Sequence, residues 1–300
     1  MSPGRLARYE STGFGMNSPK ALDDMFASAV TAIDAGDVPA LQHLLTAHPR
    51  LVHDRLDDPG AWLRDKVGDA LDGFFAKPYL LWFVAEDPVR NGRLPANIAD
   101  VAGTIISAAR REGVTSLQEQ LDYALRLVAW SGVASDCEVQ LGLLDVFIDA
   151  GASPDGRPDD ALVNGHIAAA AHLVDRGARL TLATALCLAR WDDVRRLGVM
   201  ASARERQFAF ILLALRGNVE GLARVISLGV DLNTPCDDLY SHATALHHAV
   251  YSGSLAAVKL LVEAGAALDA KDSIYDGTPL DWAEYGKHAQ IADYLRGLRR

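Results

Sequence analysis

A repeated pattern near the end of the chain constrains the fold more than any other feature. Thr244 and Thr278 lie 34 residues apart, and each is followed two positions later by leucine. An apolar segment, a glycine, a second apolar segment and Gly-Ala follow Thr244, an order typical of two helices joined by a glycine turn. A glycine at the end of the second helix suits a left-handed cap, because residues with a Cβ resist that conformation.

The distance from the turn glycine to the end of the second helix extends this pattern to other parts of the chain. An interval of 12 residues recurs at 36–48, 165–177, 217–229 and 253–265, with His48 replacing the final glycine in the first case. From this interval we expect about seven to eight helix-turn-helix units, and little or no strand. Two helices in each of eight units, with an inserted helix besides, give roughly sixteen to eighteen helices.

The pattern resembles the ankyrin repeat, whose period is about 33 residues and whose signature is T-P-L-H-x-A. Residues 244–249 and 278–283 carry the resemblance. It implies an all-α ankyrin-repeat solenoid in which each unit contacts its neighbours. It also implies that His247 bridges backbone groups of neighbouring units. His242, His247 and His248 form a histidine cluster, for which metal binding or acid–base chemistry is the alternative.

The solenoid is expected to be a single domain over residues 21–300. Its repeats are irregular over 21–205 and more regular over 206–300. Residues 1–20 have no apolar core and are expected to form a disordered leader rather than a secretory signal.

Three segments interrupt the repeats. Residues 53–75 do not fit the pattern and indicate an insertion with a helix near 61–75, because a structureless loop of that length is unusual in a compact chain. The turns between the two helices of the second and third repeats are expanded, at 86–95 and 133–139.

Composition and motifs narrow the function without identifying it. The formal net charge of −10 argues against nucleic-acid binding, which needs clustered Lys and Arg. No apolar run approaches the roughly 18 residues that span a bilayer, and three widely spaced cysteines match neither a zinc site nor a disulfide framework. We therefore expect a cytoplasmic protein with no cofactor or metal. The degenerate repeats and the preference for Arg over Lys indicate a bacterial source.

The resemblance implies binding of an unidentified protein partner through the fingers between repeats and the inner groove. Acidic fingers would suit a basic partner surface. A second copy of the chain is an alternative partner. The candidate contact residues are Asp237, Asp238, Tyr240, His242, His248, Tyr251, Tyr275, Asp276 and Trp282.

No common hydrolase, phosphate-loop or dinucleotide motif is present, so a non-enzymatic scaffold is favoured. The alternative is a small-molecule or catalytic pocket between the expanded turns, at 86–95 and 133–140, with Glu86, Arg90 and Asp136 as the acid–base groups. The turns could instead pack on each other over an apolar patch. The residues of the candidate pocket are Trp82, Glu86, Asp87, Arg90, Asn91, Trp130, Asp136, Cys137 and Gln140.

Overall fold

The computed structural model describes residues 19–298, and this part of the chain is helical. Apart from an isolated bridge between Cys236 and Leu239, residues 19–298 contain no strand pairing, which confirms the all-α prediction. Two 3₁₀ segments, Gly68–Asp72 and Leu80–Ala85, lie between the fourth and fifth α-helices. The α-helices, α1 to α18 in chain order, are Pro19–Ala35, Val38–Ala47, Arg50–His53, Ala61–Val67, Ile98–Arg111, Leu117–Trp130, Gly132–Asp136, Gln140–Asp149, Arg157–Val163, Ile167–Asp175, Leu182–Cys187, Trp191–Met200, Ala203–Leu215, Val219–Ser227, Ala245–Tyr251, Leu255–Glu263, Pro279–Tyr285 and Ala289–Leu298.

The chain divides into two compact units, residues 1–124 and 125–300, with the boundary inside α6. The predicted disordered leader, residues 1–20, lies outside the described residues except for 19 and 20, which begin α1. The prediction of one solenoid domain over 21–300 stays a prediction.

The first unit begins with the helix pair that the 12-residue interval predicts. The Asp37 side chain caps α2 by accepting a hydrogen bond from the Ala40 N–H at 3.0 Å. Gly36 adopts a φ of +66°, and its carbonyl accepts a hydrogen bond from Asn97 Nδ2 at 2.9 Å. The turn is therefore closed by a left-handed glycine and a polar cap, as in an αα-hairpin.

The inserted segment and the second repeat differ from the sequence expectation. The predicted helix near 61–75 ends at Val67 and continues as the 3₁₀ segment Gly68–Asp72, because Gly68 has a φ of +53° that an α-helix cannot continue through. The first helix of the second repeat is the 3₁₀ segment Leu80–Ala85, with all six side chains buried. Phe75 packs edge-on against Phe83, with 5.2 Å between the ring centroids.

The second unit is a stack of helix pairs. The first helices of successive pairs, α9, α11, α13, α15 and α17, each contact the next, and the second helices α14, α16 and α18 do the same. Helix α13 lies inside this stack, and its last seven residues, Ala209 to Leu215, are buried. Contacts between successive pairs are those of a solenoid, which confirms the predicted architecture in this unit.

The predicted expanded turn at 133–139 contains the short helix α7, capped by the Ser131 side chain at 3.0 Å from the Ala134 N–H. Gln140 is buried and donates a hydrogen bond from Nε2 to the Val128 carbonyl at 2.9 Å. It thereby adds a second donor to a carbonyl at the end of α6 that also accepts from the Ser131 N–H at 3.1 Å.

Candidate functional site

The repeated motif of the last pairs has a structural role. His247 Nε2 lies 3.1 Å from the Gly277 carbonyl of the next repeat, so this nitrogen carries the proton and donates. Its Nδ1 therefore accepts, from the Thr244 N–H at 3.3 Å and the Thr244 hydroxyl at 2.9 Å. Burial lowers the pKa of His247, against an opposing effect of the bond to Gly277. This is the bridge between neighbouring units that the ankyrin pattern implies.

Aromatic rings and histidines converge beside this motif, where the first helices end. The rings of Tyr240 and His248 lie 5.9 Å apart, and those of His242 and Trp282 lie 6.0 Å apart. They line a cleft of about 410 Å³, which we call the inner cleft. Its lining residues are Val163, Asn164, Leu215, Arg216, Tyr240, His242, His248, Tyr251 and Trp282.

A second and larger cleft shares Tyr251 and Trp282 with the first. Its volume is about 880 Å³, and we call it the tyrosine groove. Three of its tyrosines are strongly exposed, by 65% for Tyr251, 76% for Tyr275 and 92% for Tyr285. The lining residues are Tyr251, Tyr275, Gly277, Asp281, Trp282, Tyr285, Gly286 and His288.

A buried carboxylate fixes two walls of the tyrosine groove. Asp272 Oδ1 accepts hydrogen bonds from the N–H groups of Ile274 and Tyr275, at 2.9 and 2.7 Å. Asp272 Oδ2 accepts from the Gly277 N–H at 3.0 Å and from Trp282 Nε1–H at 2.9 Å. Burial opposes ionisation, but these hydrogen bonds outweigh it and lower the pKa of Asp272 to about 2. The finger between α16 and α17, residues 269–276, is thus held to helix α17 by one ionised side chain.

The acidic finger residues Asp237, Asp238 and Asp276 are not among the residues that line the two clefts. Asp237 and Asp238 line a separate depression of about 490 Å³. Asp238 forms an ion pair with Arg204, and one of its oxygens lies 2.6 Å from Arg204 Nε. Asp276 forms an ion pair with Lys271. Local partners therefore already neutralise two of the three finger carboxylates that the sequence suggested for a basic partner.

The residues proposed for the alternative pocket separate into two sets. In the first unit, Trp82 is buried in the aromatic core, 5.3 Å from Tyr79 between ring centroids. In the second unit, Asp136 is exposed and Cys137 is half-buried, while Gln140 caps α6. Trp130 is half-buried, and the Arg126 guanidinium carbon lies 4.4 Å from the centroid of its ring.

Glu86 and Arg90 form an ion pair inside the first unit. Arg90 Nη2 lies 2.9 Å from Glu86 Oε2, and their side chains are 2% and 0% exposed. Arg90 Nη2 also donates to the Phe83 carbonyl at 2.7 Å. Glu86 Oε1 accepts N–H groups from Arg90, Asn91 and Gly92 and so closes the turn. These contacts are those of a structural ion pair, whereas Asp87 beside it is only half-buried.

Sequence reasoning missed nine lining residues of the two clefts, and five of these have polar side chains: Asn164, Arg216, Asp281, Tyr285 and His288. Tyr285 had a visible signal. It lies 34 residues after Tyr251, the spacing of the two threonines, and each tyrosine is the last residue of its helix. Arg216 follows the end of α13 and had no such signal, because no other repeat carries a comparable residue there.

Among residues 19–298, no group of three or more His, Cys, Asp and Glu side chains is arranged to hold a metal ion. A search of the same residues for a helix with the length and hydropathy of a membrane span returns no candidate.

Comparison with known proteins agrees with the fold. A family model described as ankyrin repeats, in three copies, matches residues 200–298. Residues 200–298 are therefore ankyrin repeats. The matched ankyrin region contains the three helix pairs from α13 to α18, and therefore both clefts except for Val163 and Asn164.

The chain is also similar to cyclin-dependent kinase inhibitor 2A of Monodelphis domestica, with 36% identity over 90 residues. The match covers 30% of this chain and 51% of that protein, so it spans about half of the relative's length. Ankyrin repeats are in general protein–protein interaction modules, so the repeats at 200–298 suggest a protein partner.

Proposed function

We propose that this protein is a non-enzymatic scaffold that binds a protein partner in the tyrosine groove. The observation that carries the proposal is the exposure of Tyr251, Tyr275 and Tyr285 around Trp282. Tyrosine and tryptophan dominate the binding energy of protein interfaces, because each offers a large and rigid contact area. Three exposed tyrosines in one concave site are otherwise costly to leave in water.

The partner segment that suits the groove is basic. Residues 231–298 carry ten Asp and Glu residues against four Lys and Arg residues. Asp281 is the one acidic residue that lines the groove. Lys and Arg side chains also bind well over the faces of tyrosine and tryptophan rings. Charge and ring chemistry therefore favour the same kind of partner. The cytoplasmic location and the bacterial source stay predictions from the sequence.

A selection experiment tests the proposal with peptides in place of the unidentified partner. A random peptide library would be selected against the full chain, and the recovered peptides measured by titration. We expect them to be enriched in Lys and Arg and to bind less tightly as salt rises, since the attraction is screened. Recovery of neutral or acidic peptides, or of none, would contradict the proposal.

Two double variants locate the binding surface. Tyr251→Ala with Tyr285→Ala should weaken the selected peptides at least tenfold, because truncating a hot-spot aromatic residue costs about 2 kcal/mol or more. Val199→Ala with Met200→Ala removes exposed apolar side chains at the end of α12, outside both clefts, and should leave binding unchanged. Equal affinity of both variants would place the binding elsewhere. Circular dichroism melting curves would confirm that the variants are folded.

A further inference from the structure

The inner cleft contains a guanidinium without a carboxylate partner. No ion pair or side-chain hydrogen bond joins Arg216 to any other part of residues 19–298, and its Nε is buried without a partner. The guanidinium lies against the turn after α9, because a Cβ placed on Gly165 would lie only 2.7 Å from Arg216 Nη1. Gly165 thus leaves room for the guanidinium at the turn after α9. A charged donor held in this way is ready for an acceptor that the chain itself does not supply.

A buried nitrogen without a hydrogen bond lies in the same cleft. His248 is only 3% exposed, and its ring interacts with the backbone of Tyr240 and Ala243, but its Nε2 is buried without a hydrogen bond. Burial, with a smaller contribution from His242, lowers the pKa of His248 to about 4, so the ring is neutral at pH 7. A buried polar atom without a partner costs about 1–3 kcal/mol, which a bound polar ligand can recover.

The remaining lining residues define the ligand further. Arg216 is the one permanently charged residue among those that line the inner cleft, and no carboxylate lines it. The rings of Tyr240, His242 and Trp282 provide flat apolar faces around it. A volume of about 410 Å³ is within the range of small-molecule sites. Charge therefore selects an anion, and the flat walls select a planar group beside it.

We propose that the inner cleft is a binding site for a carboxylate carried next to an aromatic or other flat group, with Arg216 as the anchor and the rings around Trp282 as the walls. The carboxylate pairs with the guanidinium, and the neutral His248 ring adds no charge to the wall of the cleft. This site goes beyond the proposed docking of a basic segment in the tyrosine groove, because it selects the opposite charge. The carboxylate can belong to a free small molecule or to an acidic side chain of a polypeptide.

Two probes of equal shape test the charge selection. Binding of 4-fluorobenzoate and of 4-fluorobenzamide to the full chain would be measured by ¹⁹F NMR titration. We expect the benzoate to bind at least tenfold more tightly than the benzamide. Arg216→Gln should remove this preference. Arg216→Lys should keep part of it, because lysine retains the charge without the planar fork.

The matched control is Arg195→Gln, which removes an exposed arginine on α12, outside the inner cleft. It should leave both affinities unchanged. Equal affinity for the two probes, no detectable binding of either, or an unchanged preference in Arg216→Gln would each overturn the proposal. Melting curves of each variant show whether a loss of binding comes from unfolding.

A pair of capped dipeptides distinguishes the two sources of the carboxylate. Acetyl-Tyr-Glu-amide and acetyl-Tyr-Gln-amide differ only in the charge of one side chain. Tighter binding of the Glu peptide, lost in Arg216→Gln, supports the site and assigns it to polypeptide carboxylates. Benzoate selectivity without peptide selectivity supports the site and assigns it to free small carboxylates. Neither measurement requires the partner of the tyrosine groove, so the two proposals fail independently.

Discussion

Removal of Arg90 should destabilise the first unit strongly. In Arg90→Met the new side chain keeps much of the apolar volume but none of the charge. The Glu86 carboxylate then loses its guanidinium, and the Phe83 carbonyl loses a donor, in a place where both side chains of the pair are almost fully buried. Breaking a buried ion pair by removing one partner costs about 3–5 kcal/mol.

The contacts that remain in Arg90→Met place the expected loss of unfolding free energy near the lower end of this range, at about 3 kcal/mol. Glu86 Oε1 still accepts backbone N–H groups from residue 90 at 2.8 Å and from Gly92 at 3.0 Å. Asp34, whose Oδ1 lies 2.8 Å from Arg90 Nη1, is 28% exposed and can be hydrated once the arginine is gone. The Phe83 carbonyl keeps a longer hydrogen bond from the Glu86 N–H at 3.5 Å, so the lost Arg90 donor accounts for about 0.5–1.5 kcal/mol of the loss.

Urea denaturation followed by tryptophan fluorescence measures the loss, and hydrogen exchange of the amides at 90–92 assigns it to this turn. Arg93→Met is the matched control, because Arg93 is exposed and three residues away. It should change the free energy of unfolding by less than about 0.5 kcal/mol. A loss below about 1 kcal/mol in Arg90→Met, or an equal loss in the control, would refute the structural role of the ion pair.

Two further predictions concern other buried polar groups. His247→Ala removes the donor to the Gly277 carbonyl between two repeats. It should lower the free energy of unfolding, measured by thermal denaturation, by about 2–4 kcal/mol. A loss near zero would contradict the bridging role of His247. Burial, and then the charge of Glu86, raises the pKa of Asp87 from 3.8 to about 6, so the folded state binds this proton more tightly than the unfolded state. Stability from this group is therefore present below pH 4 and is lost as the pH rises to about 6. The difference in free energy of unfolding between Asp87→Asn and the wild type, measured by urea denaturation, should therefore shift in favour of the variant by about 1 kcal/mol from pH 5 to pH 8, after allowance for partial exposure. A difference that stays constant with pH would contradict the prediction.

The helix pairs of the second unit could be predicted because their signals are local. A glycine turn, a capping residue and two apolar stripes lie within about thirty residues, so the sequence of each repeat specifies its own hairpin. Thr278 illustrates this, because its hydroxyl bonds to Asp281 at 2.7 Å, only three residues later. The role of His247 was equally predictable, since its partner Gly277 is one repeat away at a fixed register.

The turn at 86–95 was not predictable in the same way. The sequence shows Glu86 and Arg90 four residues apart, which on a surface helix would be a solvated pair. Their burial depends on the aromatic core around Phe83 and on Asp34, which lies 56 residues before Arg90. Periodicity carries no information about such distant contacts, so the sequence alone left open both a pocket and a packed turn. Arg216 was missed for the same reason, since the guanidinium lies against Gly165, which is 51 residues earlier in the sequence.

The tyrosine groove combines both kinds of information. The period places Tyr251 and Tyr285 at the last position of successive first helices, and the stacking of these helices puts both rings on one side. The finger before α17 supplies Tyr275, which no period predicts. Asp272 joins the two parts, because it accepts hydrogen bonds from the Tyr275 backbone and from the Trp282 ring. The regular repeats therefore define where a partner can bind, while the irregular finger defines the shape that the partner must fit.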